Sequence, residues 1–131
     1  TGNYADGPGF FRIGGGIYSR SPTNVRGCIF EQNFGRTGAG LALLGGASGS
    51  EVTDCIFRHN YNTAQAAGIF ASGLNGLDIS DCYFGENLTS RGAFYPLLCN
   101  DINLENCTFE LNVNDGGFGG AIFSWNNTNF A

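Results

Sequence analysis

The sequence predicts an all-β fold, a parallel β-helix in which the chain winds into about five stacked coils of about 25–27 residues each. One observation is a six-residue phrase that returns four times with Cys, Phe and Asn in the same places, as CIFEQN, CIFRHN, CYFGEN and CTFELN. A second is a phrase of small residues followed by large apolar ones, which reads GGGIYS, GAGLAL, AAGIFA, RGAFYP and GGAIFS. A third is the period-two alternation of apolar residues around the first phrase, which is typical of β-strands.

The repeat spacing divides the chain into units. The four cysteines of the first phrase lie 27, 27 and 25 residues apart, and a fixed period of roughly 20 to 50 residues is typical of stacked repeats. Glycine at 22 of 131 positions argues against helical repeats. We expect residues 1–131 to form one β-helix segment of a longer chain or of a stacked assembly, because neither terminus shows a polar capping element. The units are expected near residues 14–37, 38–65, 66–90, 91–118 and, in part, 119–131.

Stacking at about 4.8 Å turns each place in the repeat into a column that runs along the solenoid. Three columns follow from the first phrase. Phenylalanine rings are predicted to stack inside at Phe30, Phe57, Phe84 and Phe109. Thiols are predicted as small, reduced core fillers at Cys28, Cys55, Cys82 and Cys107. Amides that bond from coil to coil, at turns where Asn tolerates left-handed backbone, are predicted at Asn33, Asn60, Asn87 and Asn112.

The second phrase predicts two further columns whose members are adjacent in sequence. Adjacent strand residues point to opposite faces, and the unbroken aliphatic column is expected inside, at Ile17, Leu41, Ile69, Phe94 and Ile122. The neighbouring aromatic column is interrupted by Ala42, so an exposed stripe that docks a subunit or sugar rings is predicted at Tyr18, Phe70, Tyr95 and Phe123. The alternative is a strand bend that buries both columns.

Four acidic residues of the middle coils are candidate ligands of a hard cation such as Ca²⁺, namely Glu51, Asp54, Asp78 and Asp81. The alternative is a solvated polar face. A second cluster joins Arg58 and His59 to Glu31 and Glu86, either as cross-coil salt bridges or as the acid–base groups of an enzyme. No cofactor is predicted.

Three other polar positions stand outside these clusters. Cys99 belongs to no column and is a candidate for an intermolecular disulfide. Of three glycosylation sequons, only the one at Asn126 is expected to be accessible, and Asn62 is expected to be exposed.

The amino-acid composition limits the classes of partner that this chain is expected to bind. The net charge is −5, lysine is absent and no basic run occurs, which argues against nucleic acid. No apolar stretch approaches the roughly 18 residues of a spanning helix, so no membrane insertion by this segment is expected. The opening TGNYADG lacks the pattern of a signal peptide, as expected of a mature or internal segment.

The pairing of FEQN, FRHN, FGEN and FELN with GGAI at 119–122 resembles the repeats of chlamydial polymorphic outer-membrane proteins. More widely, it resembles right-handed parallel β-helices of the pectin-lyase-like kind. The resemblance implies a right-handed β-helix in an extracellular or cell-surface protein used in adhesion. We therefore expect a non-enzymatic structural or adhesive segment, with protein neighbours that stack on its ends or pack laterally, and with glycans as further partners. The alternative is a polysaccharide lyase or hydrolase, or a glycan-binding module.

Overall fold

The computed structural model describes residues 1–3 and 15–131, and in it the chain forms four coils of four short strands each, followed by part of a fifth coil. The first coil contains β1 (Ile17–Ser19), β2 (Asn24–Arg26), β3 (Ile29–Glu31) and β4 (Phe34–Gly35). The second contains β5 (Leu41–Leu44), a 3₁₀ turn (Gly45–Ala47), β6 (Ser50–Thr53), β7 (Ile56–Arg58) and β8 (Tyr61–Asn62). The third contains β9 (Ile69–Ser72), β10 (Asn75–Ser80), β11 (Tyr83–Gly85) and β12 (Leu88–Thr89). The fourth contains β13 (Phe94–Leu97), β14 (Asn100–Glu105), β15 (Thr108–Glu110) and β16 (Val113–Asn114), and β17 (Thr128–Phe130) belongs to the fifth.

Equivalent strands of successive coils pair in parallel and build four sheets along the solenoid. The first sheet has the order β1-β5-β9-β13 and is extended by bridges to Ile122 and Trp125. The second has the order β2-β6-β10-β14-β17, the third β3-β7-β11-β15 and the fourth β4-β8-β12-β16. The predicted parallel β-helix is confirmed, with about four complete coils where about five were expected. The first predicted unit begins at Gly14, which lies outside the described residues.

The phenylalanine column forms the centre of the core. Pairing joins Phe30, Phe57, Phe84 and Phe109 in register, as predicted. Neighbouring ring centroids lie 4.5 to 4.9 Å apart and the ring planes are within 6° of parallel. Because each ring stacks on its own copy in the next coil, the same side chain is required once per repeat.

The small residues of the second phrase are explained by the same rings. A Cβ added at Gly40 would lie 2.9 Å from Cδ1 of Phe57 and 2.7 Å from the carbonyl oxygen of Gly68. Gly16 meets Phe30 and Gly68 meets Phe84 in the same way. The glycines of the second repeated motif therefore pack against the phenylalanine rings of the first. This contact brings the backbone at the start of the first-sheet strands against the aromatic stack.

The asparagine ladder is formed as predicted. The Oδ1 atom of Asn60 accepts bonds from the backbone N–H and the Nδ2 of Asn33, at 3.0 Å each. Asn60 donates in the same way to Asn87, and Asn87 donates to Asn112. The Nδ2 of Asn60 also donates to the carbonyl of Phe30 at 2.9 Å. Asn3 adds a rung that was not predicted, because its N–H and Nδ2 donate to Asn33.

The backbone explanation given for the ladder was wrong, since the left-handed residue of each turn is the one before the asparagine. These residues are Gln32, His59, Glu86 and Leu111, with φ between 51° and 55°. A second left-handed column turns the chain between the second and third sheets, at Gly27, Asp54, Asp81 and Asn106. The ladder asparagines are thus selected for their amide bonds, and the turn is made by the neighbouring residue.

Within residues 1–3 and 15–131, no helix has the length and apolar character needed to cross a membrane.

Candidate binding site: an aromatic pocket on the first sheet

The two neighbouring columns of the first sheet lie on opposite faces. The aliphatic column points inward, as predicted, and Leu41, Ile69 and Phe94 are fully buried. The aromatic column points outward, but Phe70 and Tyr95 are only 4% and 3% exposed. The predicted exposed stripe is therefore wrong at its centre.

The buried outer rings belong to a second, smaller apolar cluster. Phe70 and Tyr95 pack there with Ala66, and Leu44, Leu97 and Phe123 lie at its edge. Ala66 belongs to the segment that precedes the first sheet in its coil, so part of this segment lies against the outer face. Tyr18, at the other end of the column, is 43% exposed.

A column of turn-forming side chains shapes the segments that enter the first sheet. The Oδ1 atom of Asn62 accepts from the N–H groups of Ala64 and Gln65. The Oγ1 atom of Thr89 accepts from the N–H groups of Arg91 and Gly92. Asn62 is fully buried, so the expectation that it is exposed was wrong.

The same device fixes the last of these segments. Oδ1 of Asn114 accepts from the N–H groups of Gly116 and Phe118. Because its Nδ2 also donates to the carbonyl of Gly119, the segment is held at both ends. Together, these turns place Arg91 and Phe118 beside the outer face of the first sheet.

A pocket of about 160 Å³ opens where the aromatic column reaches the last coil. Tyr95 and Leu97 alternate along β13 and therefore share its outer face. Parallel bridges from Phe94 to Ile122 and from Leu97 to Trp125 continue the same columns. The lining consists of Arg91, Tyr95, Leu97, Phe118, Phe123 and Trp125.

The rings of the pocket form one connected aromatic surface. The centroid of Phe123 lies 5.1 Å from Tyr95, 4.7 Å from Phe118 and 5.9 Å from Trp125, and each pair is tilted. Phe118 and Trp125 keep 47% and 52% of their surfaces exposed. Exposed aromatic surface of this kind is typical of a site that binds an apolar face of a ligand.

Of the described residues that line the pocket, Arg91 is the only charged one. Its guanidinium carbon lies 5.8 Å from the ring centroid of Tyr95 and 5.7 Å from that of Phe118, within cation–π range. Its Nη1 donates to Oε1 of Gln65 at 2.9 Å. In the part of the chain that the structure describes, no acidic side chain pairs with this guanidinium. The pocket thus combines apolar rings with one cation that is held in place.

The acidic residues do not assemble a calcium site. Glu51 and Asp78 are neighbours in the second sheet, whereas Asp54 lies 3.4 Å from Nε of Arg26 and Asp81 accepts from Asn106. Among the described residues, no group of three or more His, Cys, Asp or Glu side chains is placed to hold a metal ion. The four candidates belong to exposed strand and turn positions.

The mixed cluster forms cross-coil ion pairs. Nε of Arg58 lies 2.8 Å from Oε1 of Glu31, and Nδ1 of His59 lies 3.8 Å from Oε2 of Glu86, a pair that is charged only when the imidazole is protonated. These contacts agree with the salt-bridge interpretation of the cluster.

All five thiols are free. The thiols of Cys55, Cys82 and Cys107 each donate to a carbonyl in the preceding coil, for example Cys82 to Val52 at 3.5 Å, whereas Cys28 donates to the carbonyl of Arg26 in its own coil. Hydrogen bonding with Cys107 and Cys55, together with burial, raises the pKa of the Cys82 thiol above its ordinary value. Cys99 is fully buried in the main core, and burial raises its pKa as well. The interpretation of Cys99 as a site for an intermolecular disulfide was therefore wrong.

The repeat pattern predicted Tyr95 and Phe123 but not the other four described residues that line the pocket, namely Arg91, Leu97, Phe118 and Trp125. A signal existed for two of them, since Leu97 and Trp125 each follow a member of the aromatic column by two residues and therefore share its face. Arg91 and Phe118 lie outside the strands, where the repeat carries no signal of position.

The family comparison agrees with this geometry. The model of the right-handed β-helix region matches residues 6–131, so the chain belongs to the right-handed β-helix family. Comparison with curated proteins and with solved structures gave no match. The family includes both enzymes and non-enzymes, so membership establishes the fold and leaves the activity to the site.

Proposed function

We propose that this chain is a non-enzymatic, adhesive β-helix segment of a secreted or cell-surface protein, and that it binds glycans through the aromatic pocket. The observation that carries the proposal is the pocket itself, with the exposed rings of Phe118 and Trp125 beside the guanidinium of Arg91. Aromatic rings bind the C–H face of a sugar, and a fixed guanidinium supplies directed hydrogen bonds. The rigid stack of coils supplies a frame that holds both.

The chemistry of the lining favours binding over catalysis. Hydrolysis of a glycosidic bond ordinarily uses two carboxyl groups that flank the bond. Among the described residues that line this pocket, none carries a carboxylate. Elsewhere, Arg58 and His59 are engaged with Glu31 and Glu86 across coils.

The resemblance to repeats of chlamydial polymorphic outer-membrane proteins supports an extracellular location and an adhesive role. Lateral or end-to-end protein neighbours are part of the same proposal. They are supported by apolar side chains exposed on the first and fourth coils, such as Ile29, Leu111 and Val113.

A glycan array with a matched pair of variants tests the proposal. We expect the wild-type protein and Tyr18→Ala to bind the same subset of glycans, and Trp125→Ala to lose that binding. Tyr18 is the control because it is an exposed ring at the other end of the same outer column. Release of unsaturated products or new reducing ends from any bound glycan would establish an enzyme, and binding that survives Trp125→Ala would place the site elsewhere.

A further inference from the structure

We propose that the aromatic pocket selects a terminal sugar that carries one carboxylate, at the end of an otherwise neutral glycan. This inference rests on the proposed function and names the class of sugar that the pocket takes. It follows from the state of Arg91, the size of the pocket and the charge of the whole chain.

The guanidinium of Arg91 is preorganised to bind a carboxylate. Stacking on Tyr95 and Phe118 and the bond to Gln65 restrict the guanidinium before any ligand arrives. A restricted guanidinium loses little freedom when it binds, and its planar fork matches a carboxylate with two parallel hydrogen bonds. Because no acidic side chain of the described residues pairs with it, its charge is available to a ligand.

The size of the pocket argues for a single sugar ring. Its volume of about 160 Å³ lies below the range of roughly 300 to 1,000 Å³ that is usual for larger ligands. One ring can lie on the exposed faces of Trp125 and Phe118 with its charged group directed toward Arg91. The next sugar of a chain would then extend into solvent.

The charge of the protein argues against a long polyanion. The chain has a net charge of −5, and Glu51 and Asp78 add a pair of adjacent exposed carboxylates to the second sheet. A chain of uronic acids would meet this repulsion along its length, whereas a single charge placed on Arg91 would not. A terminal acidic sugar is therefore favoured over an internal one.

Trp125 is the only tryptophan of the sequence, so its fluorescence reports directly on the pocket. We would titrate the protein with sialyllactose, with lactose and with the amide of sialyllactose, which keeps the shape of the sugar and removes its charge. We expect a saturable change with sialyllactose and at least about tenfold weaker binding of lactose and of the amide, as a charged hydrogen bond predicts.

Two variants of Arg91 test the named group. Arg91→Gln is expected to reduce sialyllactose affinity to that of lactose, and Arg91→Lys to an intermediate value because it keeps the charge without the fork. Arg26→Gln is the control, since Arg26 lies on the second sheet, pairs with Asp54 and is not part of the pocket. The comparison of sialyllactose with its amide uses the wild-type chain, so the test stands even where a variant folds poorly.

The outcomes separate this inference from the function on which it rests. Equal affinity for sialyllactose, lactose and the amide would overturn the selection of a carboxylate while leaving glycan binding intact. Tighter binding of trigalacturonate than of sialyllactose would overturn the terminal sugar in favour of an internal one. If no glycan of the array or of the titration bound, the proposed function itself would fail.

Discussion

At the scale of single residues, the asparagine ladder shows how one side chain can connect three coils. The amide of Asn60 accepts two bonds from Asn33, donates to Asn87 and also donates to the carbonyl of Phe30. The residue is fully buried, so water cannot replace a partner that is lost. Asn60 therefore stabilises the fold mainly because, without it, buried polar groups of its neighbours would have no hydrogen-bond partner.

We therefore expect Asn60→Ala to lower the free energy of unfolding by about 1 to 3 kcal/mol, because buried donors of Asn33 and the carbonyl of Phe30 lose their partners. Urea denaturation of the two proteins would measure the difference. Asn75→Ala is the control, since Asn75 is exposed and bonds to the described residues through its backbone, which donates to Ser48 and pairs with Asn100, and not through its side chain. Equal losses in the two variants would show that the ladder does not stabilise the fold.

The thiol column is a second case in which a single residue type meets the packing and hydrogen-bonding needs of one position in the coil. Cysteine at this place is small and apolar, and its S–H still finds a carbonyl in the preceding coil, as Cys55 does at Val25. A free thiol can therefore fill the narrow corner of every coil without an unpaired polar atom.

At the scale of elements, the first and third sheets are fitted to each other through glycine. The backbone of Gly40 approaches the ring of Phe57 so closely that a methyl group has no room. In the fourth coil Ala93 occupies this place, so the contact there accepts a Cβ atom. The packing between the first and third sheets therefore differs from coil to coil, although the positions are equivalent in the repeat.

Gly40→Ala is expected to destabilise the protein by about 1 to 3 kcal/mol, since the new Cβ atom must displace Phe57 or the carbonyl of Gly68. Thermal and urea denaturation would measure the change. The sign of the change in the free energy of unfolding is informative. Gly→Ala at an unstrained position stabilises a protein by about 0.4 to 1 kcal/mol through the unfolded chain, so a loss of stability indicates a steric clash in the folded state.

The reciprocal variant Ala93→Gly provides the comparison in the equivalent place. It is expected to lower the free energy of unfolding by about 0.4 to 1 kcal/mol through the unfolded chain. A Gly40→Ala protein as stable as the wild type would contradict the close packing of the two sheets.

At the scale of the whole molecule, each coil contacts its immediate neighbours, so stability is distributed as a sum of coil and interface terms. The strand β10 pairs on both sides, with β6 and β14, and its inward residues Leu77 and Ile79 are buried. The strand β17 pairs with β14 and its three residues are exposed.

We expect this asymmetry to govern hydrogen exchange. Amides of Leu77 and Ile79 should exchange at rates close to those of global unfolding, whereas those of Val113, Thr128 and Phe130 should exchange through local opening at lower free energy. Native-state exchange followed by NMR, with increasing urea, would measure both classes. Uniform protection from β5 to β17 would contradict the view of independent coil terms and indicate a single cooperative unit.

Much of the fold could be predicted because, in a solenoid, equivalent residues of successive coils contact each other, so the contacts appear in the sequence as a repeat. Phe57 stacks on Phe30 and Phe84, so the same residue returns at each coil, and the pairing of Asn60 follows the same rule. The inward and outward columns of the first sheet also follow from alternation, because neighbouring residues of a strand point to opposite faces. The sequence by itself determined the repeat, the columns and the register between coils.

Only the tertiary structure decided what covers the outside of the first sheet and which residue makes each turn. Phe70 and Tyr95 are buried because they pack with Ala66 in a second apolar cluster, and Arg91 and Phe118 reach the pocket from segments between strands. Left-handed backbone falls on such different residues as Gln32 and Leu111, because the geometry of the coil imposes the turn on whichever side chain stands there. These contacts and turns depend on side chains that differ from coil to coil, and for that reason the repeated sequence pattern does not predict them.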